Sequence, residues 1–350
     1  MKYKYLILLL TMCSMLTVSC GDDDEDGTGN GGSVPEGALP SSEFNLNNLS
    51  EEPYAESARK YIVQQSGVMP FGSVEFMADG HYLILSDDKL LAKSGKVSVG
   101  LAGKKVTVLK SGAGLSFKAA TTRGTDNETV TFGNGCEYGT YTKQGENKYV
   151  LSNGTSMEIL EETGSNATIS YIDRNGRTST VYVNTETKTV DSATKSLCRS
   201  WNINSLEFWG YINNAYCVHG KQTIKDGKAE TLFELSPSID SDEFEEDDFL
   251  DGDDEAPYKV KFTRFGTYIV SYLNEEMELA AWSWVDASQG IFHYEDYYDS
   301  EYDYDYDYDW TGECTVRFAG KQMRIYEDYS EYEAGQRIRT VVVNTLTAHY

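Results

Sequence analysis

The sequence predicts a mainly β chain built from two tandem modules, with one or two short helices. Three observations carry this. Tyr, Val, Thr and Phe recur in short alternating runs separated by Gly, Asn and Asp, the pattern of strands joined by tight turns. Motifs found in 44–190 return in the same order in 191–350, which marks a duplication. The 350 residues suffice for two domains of about 100–200 residues each.

The repeat is clearest in a hairpin. Val74, Phe76, Gly80, Tyr82, Leu83 and Ile84 match Val260, Phe262, Gly266, Tyr268, Ile269 and Val270. The alternation leads into a turn, glycine supplies a positive φ, and an aromatic opens the exit strand. A second match pairs Gly154, Met157, Ile159 and Glu161 with Gly320, Met323, Ile325 and Glu327. A third pairs Thr180, Val181, Val183, Asn184 and Thr185 with Thr340, Val341, Val343, Asn344 and Thr345. More faintly, Arg59-Lys60-Tyr61 stands where Arg199-Ser200-Trp201 stands later. Further strands are expected at 104–109, 149–151, 167–172 and 337–343, with an Asn-Gly turn at Asn175-Gly176. A helix is expected over 50–65, where Pro53 follows a capping Ser50-Glu51-Glu52, and a short one over 192–200.

Several features of the second half resemble the lipocalin-like, or calycin-like, domain of bacterial envelope lipoproteins. They are Leu197-Cys198-Arg199-Ser200-Trp201, Gly266-Thr267-Tyr268, Trp282-Ser283-Trp284, Gly290-Ile291-Phe292 and the terminal strands. The resemblance implies two antiparallel β-barrel-like or half-barrel modules, with a tryptophan at the start of the second closing one end. It reaches 44–190 only through the repeat. It brings no catalytic residues.

The N-terminus reads as an export signal over 1–19. Lys2 and Lys4 precede an apolar stretch to Val18, broken by Thr11 and Ser14 and shorter than the roughly 20 residues a membrane span needs. Leu16-Thr17-Val18-Ser19-Cys20 resembles a bacterial lipobox, with Thr17 where the motif usually has leucine. The resemblance implies acylation at Cys20 and attachment to a membrane through the N-terminal acyl chains. The acidic run 22–26 is similar to the export signal of surface-displayed lipoproteins, implying an outer-membrane protein facing the cell exterior. Residues 20–43 are then an acidic, Gly-rich tether with a reach of roughly 25 Å.

The chain has 30 basic and 56 acidic residues, a net charge of −26. The imbalance is local: five acids lie in 22–26, eleven in 240–255 and eight in 295–309, with no Lys or Arg in any of them. Nucleic acid is excluded as a partner, because phosphate recognition needs clustered Lys and Arg. Cys136, Cys198, Cys217 and Cys314 remain after Cys13 and Cys20. Their spacing excludes CxxC zinc sites, and both disulfides and buried thiols stay open.

Catalytic signals are absent. His81, His219, His293 and His349 have no metal-ligand spacing, and no HExxH, GxSxG or P-loop occurs. The chain is read as a non-enzyme without a cofactor. Asp247, Asp248, Asp251, Asp253 and Glu255 offer oxygens for Ca2+ but do not follow the EF-hand pattern, and a solvated loop accounts for them as well. The Tyr/Asp alternation over 302–309 would set Tyr304 and Tyr306 on one strand face; with Trp310, Trp282 and Trp284 it suggests an aromatic surface for a glycan or hydrophobic small molecule. Core packing explains Trp282 and Trp284 equally well. The expected function is an envelope binding protein with a glycan, small-molecule or envelope-protein partner. The alternative is a structural subunit of an outer-membrane complex.

Overall fold

A computed structural model of the chain describes residues 42–46, 58–64, 71–85, 122–123, 129–132, 136–186, 190–237, 256–296, 311–333 and 335–349. In the first module β1 (Arg59–Val63), β2 (Ser73–Phe76) and β3 (His81–Leu85) are followed by two short strands, β4 (Thr122–Arg123) and β5 (Val130–Thr131). Then come β6 (Glu137–Gln144), β7 (Lys148–Leu151), β8 (Ser156–Thr163), β9 (Asn166–Ile172) and β10 (Thr178–Glu186). Neighbours pair antiparallel in the circuit β1-β2-β3-β6-β7-β8-β9-β10, and β10 returns to β1. This is a closed eight-stranded barrel.

The second module opens with α1 (Ser192–Leu197), N-capped by the Asp191 carboxylate, which accepts from the Thr194 amide. Its strands are β11 (Ser200–Ile212), β12 (Ala215–Lys225), β13 (Lys228–Leu235), β14 (Pro257–Phe262), β15 (Thr267–Tyr272), β16 (Glu276–Asp286), β17 (Ile291–Asp296), β18 (Thr311–Ala319), β19 (Gln322–Glu333) and β20 (Gln336–Ala348). The circuit β11-β14-β15-β16-β17-β18-β19-β20 closes on β11, giving a second eight-stranded barrel. β11 meets β14 only over Ser200 to Asn202; beyond Ser205 the same edge pairs with β12. The β12–β13 hairpin therefore widens the wall at one end, the mouth. The opposite end is closed. Trp201 is fully buried there, donates from Nε1 to the Leu197 carbonyl at 2.9 Å, and stacks on Phe318 at 5.9 Å. Asn45 bridges to Phe318 at this same closed end, so the N-terminal segment is pinned to the second barrel.

The hairpin repeat holds down to register. Phe76 faces Tyr82 as Phe262 faces Tyr268, and Val74 faces Ile84 as Val260 faces Val270. Tyr61 lies opposite Val74 as Trp201 lies opposite Val260. Gly80 and Gly266 take φ of 87° and 93°. The second sequence match fails topologically. Gly154 leads into β8, sixth in its circuit, whereas Gly320 leads into β19, seventh in its own. A glycine turn followed by alternating inward Met and Ile fits any hairpin exit, so that likeness is local. The third match lies on equivalent strands, β10 and β20, but in opposite phase. Val181 and Val183 point into the first barrel and Asn184 is exposed. In β20 the inward set includes Leu346 and Ala348, which by alternation turns Asn344 inward and Val341 and Val343 outward.

Two further expectations change. The helix expected over 50–65 gives way to β1 over its last part. Arg59–Val63 is β-branched and aromatic at its end, and it has two strands to pair with, which outweighs a helical N-cap signal. Disulfides are not formed: Cys136, Cys198, Cys217 and Cys314 are all buried free thiols. The expected strand at 104–109 and the calcium loop lie outside the described residues.

The barrels share a seam. Met77, Leu83, Leu85, Val130, Phe132, Cys136 and Tyr138 of the first form one core cluster with Ile269, Met277, Leu279 and Ala281 of the second. Lys261 pairs with Asp79 at 2.9 Å and donates to the Tyr138 hydroxyl at 2.5 Å. Thr263 donates to Glu75 at 3.2 Å. Burial alone would raise the Asp79 carboxyl. A hydrogen bond from His81 and the charge of Lys261 override it and hold the group well below the usual carboxylate range. Its stabilisation is present above the ordinary carboxylate pKa and is lost only as pH falls through the depressed folded value. Because the two hairpin glycines serve the same backbone need, Gly80→Ala and Gly266→Ala should each cost about 1–2 kcal/mol in urea unfolding. A neutral result at either would show that the two turns are not equivalent.

Candidate functional site: the interior of the second barrel

An eight-stranded barrel is just wide enough to be filled by side chains or to hold one small ligand. Towards its closed end the second barrel is filled. Phe262, Trp282 and Phe292 meet edge to face at 5.8–6.3 Å, beneath Trp201 and Phe318. Full burial of each such side chain contributes about 1.5–3 kcal/mol. Trp282 is buried and donates from Nε1 to the Thr263 carbonyl at 3.0 Å. Trp284 is half-buried and donates to Thr194 Oγ1 of α1 at 2.8 Å. Both rings are spent on closing the barrel, which corrects their reading as an exposed ligand platform. Tyr304, Tyr306 and Trp310 lie outside the described residues, as do Cys20 and the acids Asp247, Asp248, Asp251, Asp253 and Glu255. Among the described residues no group of three or more His, Cys, Asp and Glu is set to hold a metal.

The interior nearer the mouth is different. Alternation from Met323 and Ile325 turns Glu327 of β19 inward. Its carboxylate accepts from the Cys314 thiol at 3.0 Å and from the Tyr294 hydroxyl at 3.3 Å. Tyr294 reaches it by lying across Gly312, its cross-strand partner on β18: a Cβ there would collide with the phenol ring. Tyr268 is fully buried, with its hydroxyl within electrostatic reach of Tyr294, Cys314, Glu278 and Tyr272. Tyr272 donates to Glu278 at 2.7 Å. Five strands, β15 to β19, thus contribute to one buried polar wall.

Two further polar side chains face the same interior from β20. Asn344 is 1% exposed, and neither its Oδ1 nor its Nδ2 meets a hydrogen-bond partner among the described residues. The cause is register: it stands between Leu206 of β11 and Ile325 of β19, both apolar. Thr340 is 2% exposed, and its hydroxyl likewise meets no partner among the described residues. Val342 separates them and lies directly opposite Glu327, so Asn344 and Thr340 flank the carboxyl diagonally. On the β11–β12–β13 side of the mouth Leu206, Phe208 and Val218 are buried together with Phe233 and Leu235 packed on them, and buried Gln222 stands on the same face opposite Leu206, donating to Thr231.

Burial pushes the Glu327 carboxyl up to about 7, and only the two neutral donors, Cys314 and Tyr294, pull the other way. Among the described residues no cation is one of its partners. Burial likewise pushes the Tyr268 phenol and the Cys314 thiol well above their ordinary values, so both stay neutral. The arrangement can accept hydrogen bonds and positive charge.

Sequence reasoning missed this wall. Glu327 and Asn344 were visible as parts of repeat motifs, but transferring the first module's pattern would place Asn344 outside, as Asn184 is.

No known family model matches the chain, and no curated protein sequence matches it. Among solved structures it has weak likenesses. One is to an isotype 1 transferrin binding protein B from serogroup B Neisseria meningitidis, at 12% identity and a TM-score of 0.16 over 82% of this chain and 55% of that one. This chain therefore spans about half the length of that protein. Another is to a protein of unknown function from the DUF3598 family of Nostoc punctiforme, at 10% identity and a TM-score of 0.12 over 89% and 100% of the two chains. Neither likeness is close enough to carry an argument about fold or function.

The Glu327 carboxyl makes a pH prediction. Its folded pKa lies above the ordinary 4.5. The folded state therefore keeps a proton that the unfolded state gives up, and stability falls as pH rises from about 4.5 to about 7. Glu327→Gln should remove that decline, gaining on the order of 3 kcal/mol relative to wild type across this window. Urea midpoints at pH 4.5, 6 and 8 measure it. Parallel curves for the two proteins would show that Glu327 ionises freely in the folded state.

Proposed function

We propose that this chain is a lipid-anchored protein of the cell envelope whose second barrel binds a small molecule in its interior, nearer the mouth. The observation that carries the reading is Asn344. A buried polar group left unsatisfied costs about 1–3 kcal/mol, and this one presents two unpartnered atoms inside a barrel whose other end is sealed. Leucine, with the same branching and no polar atoms, would stand there between Leu206 and Ile325 without an unsatisfied group. An asparagine in that place makes sense as a contact for something the chain does not supply.

Topology supports the orientation. Asn45 is held at the closed end, so a tether leading from Cys20 would join the barrel there, and the mouth would face away from the membrane. The two strongly acidic stretches connect β13 to β14 and β17 to β18, both at the mouth end. Their structure is outside the described residues.

Asn344→Leu should raise stability by about 1–3 kcal/mol while abolishing retention of any small molecule that native mass spectrometry finds with the wild-type chain. A destabilised variant would mean that Asn344 is held by the fold itself, and the binding reading would fall. For the anchor, protease treatment of intact cells should shave the wild type, while Cys20→Ala should be released or mislocalised. Cleavage only after outer-membrane permeabilisation would place the protein on the periplasmic side.

A further inference from the structure

The chemistry of the wall narrows the ligand, granted that the second barrel is a binding site. The Glu327 carboxyl is buried, its two partners are neutral donors, and it is flanked by the unpartnered acceptors Asn344 Oδ1 and Thr340 Oγ1. A second carboxyl, Glu278, accepts from the Tyr272 phenol and lies within electrostatic reach of Tyr268. Phenol ring faces carry negative potential that favours a cation. A carboxylate or phosphate ligand would meet like charge at low dielectric, which is strongly unfavourable. Opposite this wall the interior is mostly apolar, formed by Leu206, Phe208 and Val218, with Gln222 beside them bonded to Thr231.

We propose that the ligand is a small organic amine, its ammonium set against Glu327, Asn344 and Thr340 and its apolar body against Leu206, Phe208 and Val218. An ammonium supplies three donors and no acceptor, matching the Glu327 carboxylate, Asn344 Oδ1 and Thr340 Oγ1, while the Asn344 Nδ2 donor stays without a partner. It also brings the charge that a buried carboxylate otherwise lacks. Binding is then coupled to loss of the Glu327 proton. The titratable groups facing that carboxyl are Tyr294 from β17, Cys314 from β18, Tyr268 and Tyr272 from β15, and Glu278 from β16. β20 presents Thr340, Val342 and Asn344, none of which titrates. Of the facing groups, Tyr268 and Cys314 are pushed upward by burial, away from neutral pH.

The test is calorimetric titration of the full-length chain, purified in detergent, with 2-phenylethylamine and its neutral counterpart 2-phenylethanol at pH 6 and pH 8. The amine should bind saturably at pH 8 and about tenfold more weakly at pH 6, where Glu327 must first lose a proton. The alcohol should bind at least about tenfold more weakly than the amine at pH 8. Glu327→Gln, a variant expected to fold at least as well as wild type, should bring the amine down to the alcohol and remove the pH dependence. Equal binding of amine and alcohol would overturn the amine proposal while leaving a binding barrel standing. So would binding that Glu327→Gln leaves unchanged. No binding of either probe would overturn it too, and the stability of Asn344→Leu would then decide separately whether the barrel binds anything.

Discussion

The structure depends on closure of each strand circuit by pairing its last strand to its first. In the second barrel this pairing runs from Trp201 opposite Ala348 to Ile212 opposite Ile338. Closure removes the free edges of the circuit and divides every strand into an inward and an outward row. Only because of that division do individual polar side chains acquire meaning: an asparagine on an open sheet finds water, whereas Asn344 inside a closed barrel does not. The same pairing contains an irregularity between Ile203 and Ser205. Past it, Leu206 and Phe208 take up the inward row that Trp201 and Ile203 begin, so the apolar side of the mouth depends on a single-residue step.

Closure also explains how the two barrels are joined. A barrel sealed on itself can meet a neighbour only through its outer row. The seam is built from outward residues of β14 to β16, with Ile269, Met277 and Leu279 supplying the apolar surface. Lys261, Thr263 and Glu75 supply the polar pairs. A buried pair such as Lys261–Asp79 adds specificity of docking more than net stability, since desolvation offsets much of the attraction. The short strand β4, in the β3–β6 connection of the first barrel, pairs with Glu276 and Met277 of β16 and so extends the contact in the backbone. Duplication has thus produced two interiors with different contents. The first holds an aromatic cluster in which Tyr149 stacks on Phe76 and Tyr141 meets both edge to face. The second holds carboxyls, phenols and an amide.

Much of this was legible in the sequence. The strand class, the tandem plan and the hairpin register around Phe76 and Phe262 follow from alternation, glycine placement and the repeat, and the closing role of Trp201 from the lipocalin-like resemblance. What was not legible has common physical causes. The helix expected over 50–65 rested on a local capping signal, and Tyr61 and its neighbours answer to partner strands far away in sequence. Gly154 and Gly320 look alike because all hairpin exits face the same local demands. Trp282 and Trp284 could not be assigned inside or outside from spacing alone, since both outcomes give the same alternation. Glu327 and Asn344 were hidden most deeply. Their significance comes from phase, and a one-residue change of phase between β10 and β20 reverses which letters of a shared motif face inward.

The central claim is that the polar wall nearer the mouth of the second barrel is built for an occupant rather than left over from packing. The most direct measurement is a high-resolution crystal structure of the chain purified from the cells that make it. The account predicts electron density for a non-protein molecule within hydrogen-bond distance of Asn344 and Glu327. An interior in which the Asn344 amide is bonded to protein groups and no non-protein molecule stands beside it would contradict it.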